Sequence, residues 1–389
     1  MLVKWAQKEV LIMNMEPNEN AKYSELFLVD VNAIGYAATA VKTAELLEEA
    51  KHGDPLAQLD LGYIYMGKDW GKAFDWFSES ASHGTLKAIE MLGVCYSNGH
   101  GVEKDEELAV TLWEKVLEKE TSSLSLFELG DCYLSGAGCV REPEKGTRYL
   151  QKAVAQGFWL AEGLLGLCYL YGDGVEQNEQ RAVELLAHYC DVFDNPSPFV
   201  MCVLGNCFKA GTGITQDLKK AENYYLRAAG MDYAPAEDHL LDLYMENPEN
   251  TEQALSWMKK IADRKDRPDM MVLLGHCYLN GSRLTDKDPA EAVRWFRTAA
   301  ETEDASAICD LGTCYFYGEG VEKDREKAME LFFKSANAGC AKAQDVLGQA
   351  YSKGIFVEKD IETARGWYQK AAQQGNEQAQ RALEELDAK

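Results

Sequence analysis

One short motif recurs along nearly the whole chain and limits the folds that the chain can adopt. It reads Leu-Gly-x-x-Tyr, then Gly-x-Gly-Val, then Ala-x-x-Trp, and nine copies occur at intervals of 31 to 39 residues. Their first leucines are Leu61, Leu92, Leu129, Leu165, Leu204, Leu240, Leu274, Leu311 and Leu347. A period of this length is typical of stacked-repeat proteins, in which each repeat packs only on its neighbours. The pattern therefore predicts long surfaces rather than one central cavity.

Each copy predicts two helices joined by a glycine-containing loop. In the eighth copy, residues 304–339, apolar residues at i, i+4, i+7 and i+8 form the stripe of an amphipathic helix, helix A. Those residues are Ala307, Leu311, Cys314 and Tyr315. A second stripe begins at Ala328 and predicts helix B. Between them, Gly318 and Gly320 end helix A and supply positive φ angles.

A capping residue precedes helix B in nearly every copy. Four residues before the small residue that opens the stripe, eight of the nine copies have Asp or Asn. They are Asp69, Asp105, Asn178, Asp217, Asn250, Asp288, Asp324 and Asp360. The remaining copy, the third, has Glu142 at this position. Asp and Asn cap the free N–H groups of a helix N-terminus. We interpret these side chains as helix caps rather than catalytic acids.

The glycine of the Leu-Gly pair lies inside helix A, where it costs roughly 1 kcal/mol relative to alanine. Its recurrence predicts a close approach of helix B that a Cβ atom would block. The aromatic residue of the Ala-x-x-Trp element, such as Trp295 or Trp367, is predicted to fill the core between layers. The sixth copy has Leu241 instead of the glycine and lacks the Gly-x-Gly loop, so we expect looser packing or a changed stacking angle there.

The motifs resemble those of the Sel1-like repeat family, αα-solenoid relatives of tetratricopeptide repeats. Two segments carry the resemblance most fully, LGVCYSNGHGVEKDEELAVTLWEKV and LGTCYFYGEGVEKDREKAMELFFKSANAG. The resemblance implies an all-α fold, a right-handed αα-superhelix (solenoid) of nine Sel1-like repeats with terminal helical caps. The first and sixth copies and Gly146, where the family has alanine, depart from the pattern.

The periodicity also predicts the domain organisation. Residues 39–53 form a half-repeat, nine repeats cover about 54–375, and 376–389 form a C-terminal capping helix, so that 39–389 is one solenoid. Residues 1–38 fit no repeat. We interpret them as an N-terminal cap, with a docking segment or dimer contact as the alternative.

Charge and hydropathy exclude several classes of function. The net charge of −24 disfavours nucleic-acid binding, which requires a basic surface. No run of about 20 apolar residues predicts a membrane span, and the N-terminus lacks the pattern of a secretory signal peptide. We therefore expect a cytoplasmic protein, a monomer, whose partners are proteins or peptides.

The cysteines follow the repeat. Of eleven, six occupy the position three after the motif leucine. They are Cys95, Cys132, Cys168, Cys207, Cys277 and Cys314. Equivalent positions in stacked helices lie roughly 8–10 Å apart, beyond the reach of a disulfide, so these six are predicted to be buried thiols. A disulfide-rich branch of the family ties the two helices of each repeat together, and no such regular pairing occurs here.

No residue pattern indicates catalysis, a cofactor or a metal. The Gly-x-Gly turns follow helices rather than strands, unlike a dinucleotide-binding fingerprint. The six histidines form no zinc motif. We therefore predict a non-enzymatic scaffold or adaptor without cofactors, with an inhibitor or immunity-type protein that blocks one enzyme, or a structural spacer, as alternatives.

The predicted binding surface is the concave face lined by the A helices. By analogy with tetratricopeptide repeats, one row comprises Asp131, Asn206, His276, Thr313 and Gln349. A second row, near the ends of the A helices, comprises Tyr171, Asn280, Tyr317 and Lys353. Phe158 and Trp159 occupy a turn where other copies have small or polar residues, and we predict that they pack under it, with an exposed aromatic contact as the alternative.

Overall fold

A computed structural model of the chain describes residues 40–193, 195–264 and 266–387, and the regular structure in these segments is helical. The A helices are α2 (Pro55–Tyr65), α4 (Leu86–Asn98), α6 (Ser123–Ser135), α8 (Leu160–Tyr171), α10 (Pro198–Ala210), α12 (Ala234–Glu246), α14 (Pro268–Asn280), α16 (Ala305–Tyr317) and α18 (Ala341–Lys353). The B helices are α3 (Trp70–Ser82), α5 (Glu106–Leu117), α7 (Pro143–Ala155), α9 (Glu179–Val192), α11 (Leu218–Ala229), α13 (Thr251–Asp263), α15 (Pro289–Glu301), α17 (Arg325–Asn337) and α19 (Ile361–Gln373). The unpaired α1 (Ala40–Lys51) and α20 (Glu377–Asp387) lie at the two ends. The predicted all-α fold of nine helix pairs is confirmed.

The chain divides into two compact units, which meet in sequence at Ala236 and Glu237, in the first turn of α12. In the repeats other than the sixth, helix B packs on helix A of its own repeat, and within each unit it also packs on the next helix A. The boundary falls in the sixth repeat, the one that departs most from the motif. The prediction for residues 1–38 lies outside the described segments.

The capping prediction is confirmed in seven of the nine copies. In the eighth repeat, for example, Asp324 Oδ1 accepts a hydrogen bond from the N–H of Lys327 at 2.9 Å. Glu142 stands at the cap position without a capping bond. The prediction for Asn250 is wrong, because a 3₁₀ turn (Pro248–Asn250) precedes α13 and Asn247 caps that turn instead.

The close approach at the Leu-Gly glycines is also confirmed, and a large side chain of helix B produces it. A Cβ atom on Gly93 would lie 2.5 Å from Trp113 Nε1, and one on Gly348 would lie 2.6 Å from the ring of Tyr368. This side chain lies four positions after the small residue that opens the stripe of helix B, whereas the predicted core aromatic lies three positions after it. Tyr368 is accordingly buried and Trp367 only half-buried, which corrects the predicted core aromatic.

The departures at the sixth repeat and at Gly146 have simple packing explanations. In the sixth repeat Leu241 is buried, and the residue at the corresponding position of helix B is the buried, flexible Met258, where other repeats have a ring or leucine. Gly146 lies on α7 where a Cβ atom would be 2.7 Å from the carbonyl oxygen of Gly130 on α6. Here the two helices approach backbone to backbone, and alanine would not fit without a shift.

The Gly-x-Gly loop packs against the preceding repeat. In the eighth repeat Gly318 and Gly320 have φ angles of 80° and 72°. A Cβ atom on Gly320 would collide with the first turn of α15, at the carbonyl of Pro289 and the nitrogen of Ala290. The second glycine is therefore required both by its backbone conformation and by the neighbouring helix.

All eleven cysteines are free thiols. Five of the six repeated cysteines are buried, as predicted, and Cys277 is half-buried. Burial raises the pKa of Cys95 to about 12 and also raises the pKa of Cys168, Cys207 and Cys314. They are poor nucleophiles in this setting and serve the packing of helix A.

Candidate interaction surface

The predicted binding residues divide between the two units. Asp131, Phe158, Trp159, Tyr171 and Asn206 lie in the first unit. His276, Asn280, Thr313, Tyr317, Gln349 and Lys353 lie in the second. Each group is described within its own unit.

In the first unit, two of the predicted side chains lie where a partner has little access. Asp131 is 0% exposed, because the next A helix, α8, lies beside it and brings Cys168 within range of its charge. The assignment of Asp131 to an exposed binding row is therefore wrong. Asn206 is half-buried and accepts a hydrogen bond from the Tyr225 hydroxyl at 2.6 Å. Tyr171, at the end of α8, is 61% exposed.

Phe158 and Trp159 pack inside the first unit, as predicted. The ring of Phe158 lies 5.5 Å from that of Phe127 on α6. The ring of Trp159 lies 4.3 Å from that of Phe193, just after α9. Both side chains are half-buried, so the turn is held by aromatic contacts between successive repeats.

In the second unit, the first predicted row is engaged in contacts within the protein. His276 Nε2 lies 2.9 Å from Asp310 Oδ2, and Lys342 Nζ lies 2.6 Å from Asp310 Oδ1. Burial acts to raise the pKa of Asp310, but the hydrogen bonds from these two neighbours lower it overall. Thr313 donates to the carbonyl of Cys309, and Gln349 donates to Asp345, both at 2.9 Å. The contacts of Asp310 with His276 and Lys342 therefore link α14, α16 and α18 and stabilise this face.

The second predicted row of this unit is exposed. Asn280, Tyr317 and Lys353 stand at the last positions of α14, α16 and α18. Tyr317 is 64% exposed, and Asn280 and Lys353 are also exposed. In the second unit the predicted residues thus divide into a row that contacts neighbouring A helices or its own helix and a row that is exposed.

Tyr317 belongs to a cluster of exposed side chains around the half-buried Phe316, which the sequence reasoning missed. The rings of Phe316 and Tyr317 lie 5.0 Å apart, and those of Phe316 and Phe356 lie 5.9 Å apart. The Arg325 guanidinium lies 5.3 Å from the centre of the Phe356 ring. With the neighbouring Ile355, which is also exposed, these residues form what we call the aromatic patch: Phe316, Tyr317, Arg325, Ile355 and Phe356.

Phe356 occupies an unusual backbone position. In the ninth repeat Gly354-Ile355-Phe356 stands where five other copies have Gly-x-Gly, and Phe356 has a φ of 61° with its side chain 49% exposed. A bulky residue in the left-handed region is strained. The missing second glycine was the available sequence signal for the patch.

A groove runs between Phe356 and the first turn of α17. Its walls carry apolar, acidic and basic side chains. They are Tyr315, Val321, Glu322, Lys323, Asp324, Arg325, Glu326 and Phe356. Hydrogen bonding from Lys327 lowers the pKa of the Tyr315 hydroxyl beside it. An apolar ring next to both signs of charge suits a polypeptide segment better than a small apolar ligand.

The described segments show no cluster of three or more His, Cys, Asp or Glu side chains that could hold a metal ion. None of the helices described between residues 40 and 387 is long and apolar enough to cross a membrane.

Comparison with protein families gives nine matches to one model, the Sel1 repeat. The matched residues are 55–85, 86–118, 123–158, 159–187, 198–233, 247–266, 268–301, 305–340 and 341–376. The sixth match is the shortest and begins after α12, in agreement with the departure of the motif there.

Two curated relatives match this chain over only part of their own length. The chain is 27% identical over 252 residues to chitin synthase regulatory factor 3 of Schizosaccharomyces pombe, which covers 62% of this chain and 26% of that protein. It is 30% identical over 178 residues to the mouse DAP3-binding cell death enhancer 1, which covers 45% of this chain and 34% of that protein. The chain thus spans about a quarter to a third of the length of these relatives.

Among solved structures, a protective antigen of uropathogenic Escherichia coli with a Sel1-like repeat fold is 28% identical, with a TM-score of 0.46. That match covers 88% of this chain and 82% of the antigen. A Sel1 repeat protein of Oxalobacter formigenes is 24% identical with a TM-score of 0.38, and the match covers 93% of each chain.

Proposed function

Because the chain belongs to the Sel1 repeat family, we propose that it is a protein-interaction module that binds a polypeptide segment of its partner at the outer A-helix ends of its second unit. The aromatic patch carries this proposal. Large aromatic side chains and arginine dominate the binding energy of protein interfaces, and an exposed cluster of them is uncommon on a surface without a partner.

The residues that pack the repeats differ from those at the ends of the A helices, and this difference supports the proposed location. The glycine of helix A, the large residue of helix B and the helix cap have the same role in most copies, and all of them serve packing. The last residues of α14, α16 and α18, in contrast, are Asn280, Tyr317 and Lys353, an amide, a phenol and an ammonium group. A ligand that lies across these ends meets a different chemistry at each repeat, which gives specificity.

The backbone at Phe356 supports the same location. A glycine would relieve the left-handed conformation and follow the other copies, but this chain places a half-exposed ring there. Strain of this kind is concentrated at ligand-binding positions. The names of the two relatives, a regulatory factor and a DAP3-binding protein, are compatible with an interaction role.

The experiment is affinity capture from the native host with mass spectrometry, using three matched baits. The wild type is compared with a Tyr317→Ala/Phe356→Gly variant, in which Phe356→Gly introduces the glycine that other repeats carry and so does not threaten folding. The control is a Leu56→Ala/Val140→Ala variant, which alters two exposed apolar residues of the first unit.

We expect a stoichiometric partner that the wild type and the control retain and the patch variant loses. Retention of every partner by the patch variant contradicts the proposed surface. A catalytic activity towards the captured protein contradicts the assignment as a non-catalytic interaction module.

A further inference from the structure

Successive A helices meet at one recurring pair of positions. The residue two before the motif leucine contacts the residue at the start of the next A helix, 29 to 32 positions later. Ser122 donates a hydrogen bond to Glu90, Phe158 packs on Phe127, and Arg267 Nη1 lies 3.0 Å from Asp238 Oδ1. The same geometric contact is thus made by a hydrogen bond, an aromatic pair and an ion pair in three different copies.

In the eighth repeat this pair of positions holds two cysteines. Cys309, on α16, is two before Leu311, and Cys340 is the N-cap residue of α18. Cys309 is 0% exposed, whereas Cys340 is half-buried and reaches solvent. Neither belongs to the six cysteines that repeat along the chain, so the packing role of those six does not account for them.

The two thiols differ in their chemistry. A hydrogen bond from the Cys309 thiol lowers the pKa of Cys340 to about 5, against the effect of partial burial, and the N–H of Ala343 at the start of α18 acts in the same direction. The pKa of Cys309 is raised, by the same hydrogen bond and by burial. Cys340 is therefore the thiol of the pair that an external reagent can reach and the one whose thiolate is favoured, whereas Cys309 lies in the hydrophobic core against which Cys340 packs.

We propose that Cys340 and Cys309 form a redox-active dithiol, in which Cys340 reacts with a hydroperoxide and Cys309 then closes a disulfide between α16 and α18. In the first step the Cys340 thiolate attacks one peroxide oxygen, the O–O bond breaks, and the leaving hydroxide (or alkoxide) takes a proton from solvent, so that the sulfenic acid and one water (or alcohol) form. In the second step the Cys309 sulfur attacks the Cys340 sulfur and a second water leaves. Two electrons pass from the two sulfurs to the peroxide, and the Cys309 proton leaves with the displaced hydroxide.

The first test is brief alkylation of the native protein with N-ethylmaleimide at neutral pH. Cys139 and Cys277 are the matched comparison, because they are half-buried like Cys340. We expect Cys340 to be labelled at least about tenfold faster than either of them. Equal rates at the three sites overturn the assignment of Cys340 as the reactive thiol.

The second test is treatment of the full chain with stoichiometric hydrogen peroxide, followed by denaturing alkylation and mass spectrometry. We expect the number of alkylated thiols to fall by two and a cross-link to join the tryptic peptides 298–323 and 335–342. Because the first peptide also contains Cys314, a Cys314→Ser variant is the control, and its cross-link is expected to persist.

Two further variants separate the steps. Cys309→Ser is expected to lose the cross-link and accumulate a sulfenic acid at Cys340 that dimedone traps, whereas Cys340→Ser is expected to show neither product. A cross-link that survives in Cys309→Ser, or oxidation that begins at another cysteine, overturns the proposal. Circular dichroism checks that each variant is folded, and the alkylation rates of the wild type test the reactive thiol independently of any variant.

Discussion

The eighth and sixth repeats differ at the two positions where the motif brings helix A and helix B together. In the eighth, Gly312 lies against the Phe332 ring, the Gly-x-Gly loop packs on α15, and Asp324 caps α17. In the sixth, Leu241 and Met258 are buried instead, and a 3₁₀ turn replaces the long loop. Both repeats bury their motif leucines, so the core tolerates either combination. The sixth repeat lacks the Gly-x-Gly loop, which in the eighth packs on α15, and the boundary between the two compact units falls in this repeat.

The largest effect is expected from transferring the sixth repeat's leucine into the eighth. Gly312→Leu places a side chain where even a Cβ atom would lie 3.0 Å from the Phe332 ring, so we expect a loss of roughly 2–3 kcal/mol in the free energy of unfolding. Adding Phe332→Met recreates the sixth repeat's pair and is expected to recover a large part of that loss. Urea denaturation of the two single variants and the double variant measures the coupling, and strictly additive losses would show that the pair is not interchangeable.

A smaller effect is expected in local stability. Because the sixth repeat lacks the packed loop, backbone amides of residues 236–262 are expected to exchange at least about tenfold faster than those of residues 305–339. Hydrogen exchange followed by mass spectrometry on the native chain measures both segments in one experiment. Equal or slower exchange at 236–262 would show that Leu241 and Met258 compensate fully for the missing loop.

The smallest effect concerns the helix caps. Asp324→Ala removes a capping bond and is expected to cost about 1 kcal/mol, whereas Asn250→Ala removes a side chain that caps nothing and is expected to cost only a few tenths. Asn247→Ala supplies the third member of the set, because that residue caps the 3₁₀ turn. Thermal unfolding of the three variants ranks them, and an equal cost for Asp324→Ala and Asn250→Ala would argue against the assigned caps.

The fold could be read from the sequence because its determinants are local. The spacing of apolar residues, the caps and the loop glycines each act within one repeat, and the structure agrees with them. The burial of Asp131 could not be read in this way, since it depends on how the next A helix packs over α6. The predicted core aromatic was wrong by one residue. The side chain that fills the core lies four positions after the small residue of helix B, whether or not a tryptophan stands at the third position. The prediction that Asn250 is a helix cap was wrong because a 3₁₀ turn follows Asn247, and Asn247 caps that turn.

The candidate surface shows the same limit. The outer positions Tyr317 and Lys353 could be proposed from their places at the ends of A helices. The contribution of Phe356 could not, because this residue meets Phe316 and Arg325 only when the ninth repeat packs on the eighth. The replacement of a loop glycine by Phe356 was visible in the sequence, but its consequence required the fold.

The most direct test of the proposed function compares Tyr317 with Tyr171, which occupies the same place in the fourth repeat and is equally exposed. The fourth repeat keeps both loop glycines, Gly172 and Gly174, and so has no counterpart of Phe356. With the captured partner purified, isothermal titration calorimetry is expected to show that Tyr317→Ala weakens binding by about tenfold or more and that Tyr171→Ala changes it less than about threefold. A loss of affinity with Tyr171→Ala and none with Tyr317→Ala would contradict the account and place the binding surface in the first unit.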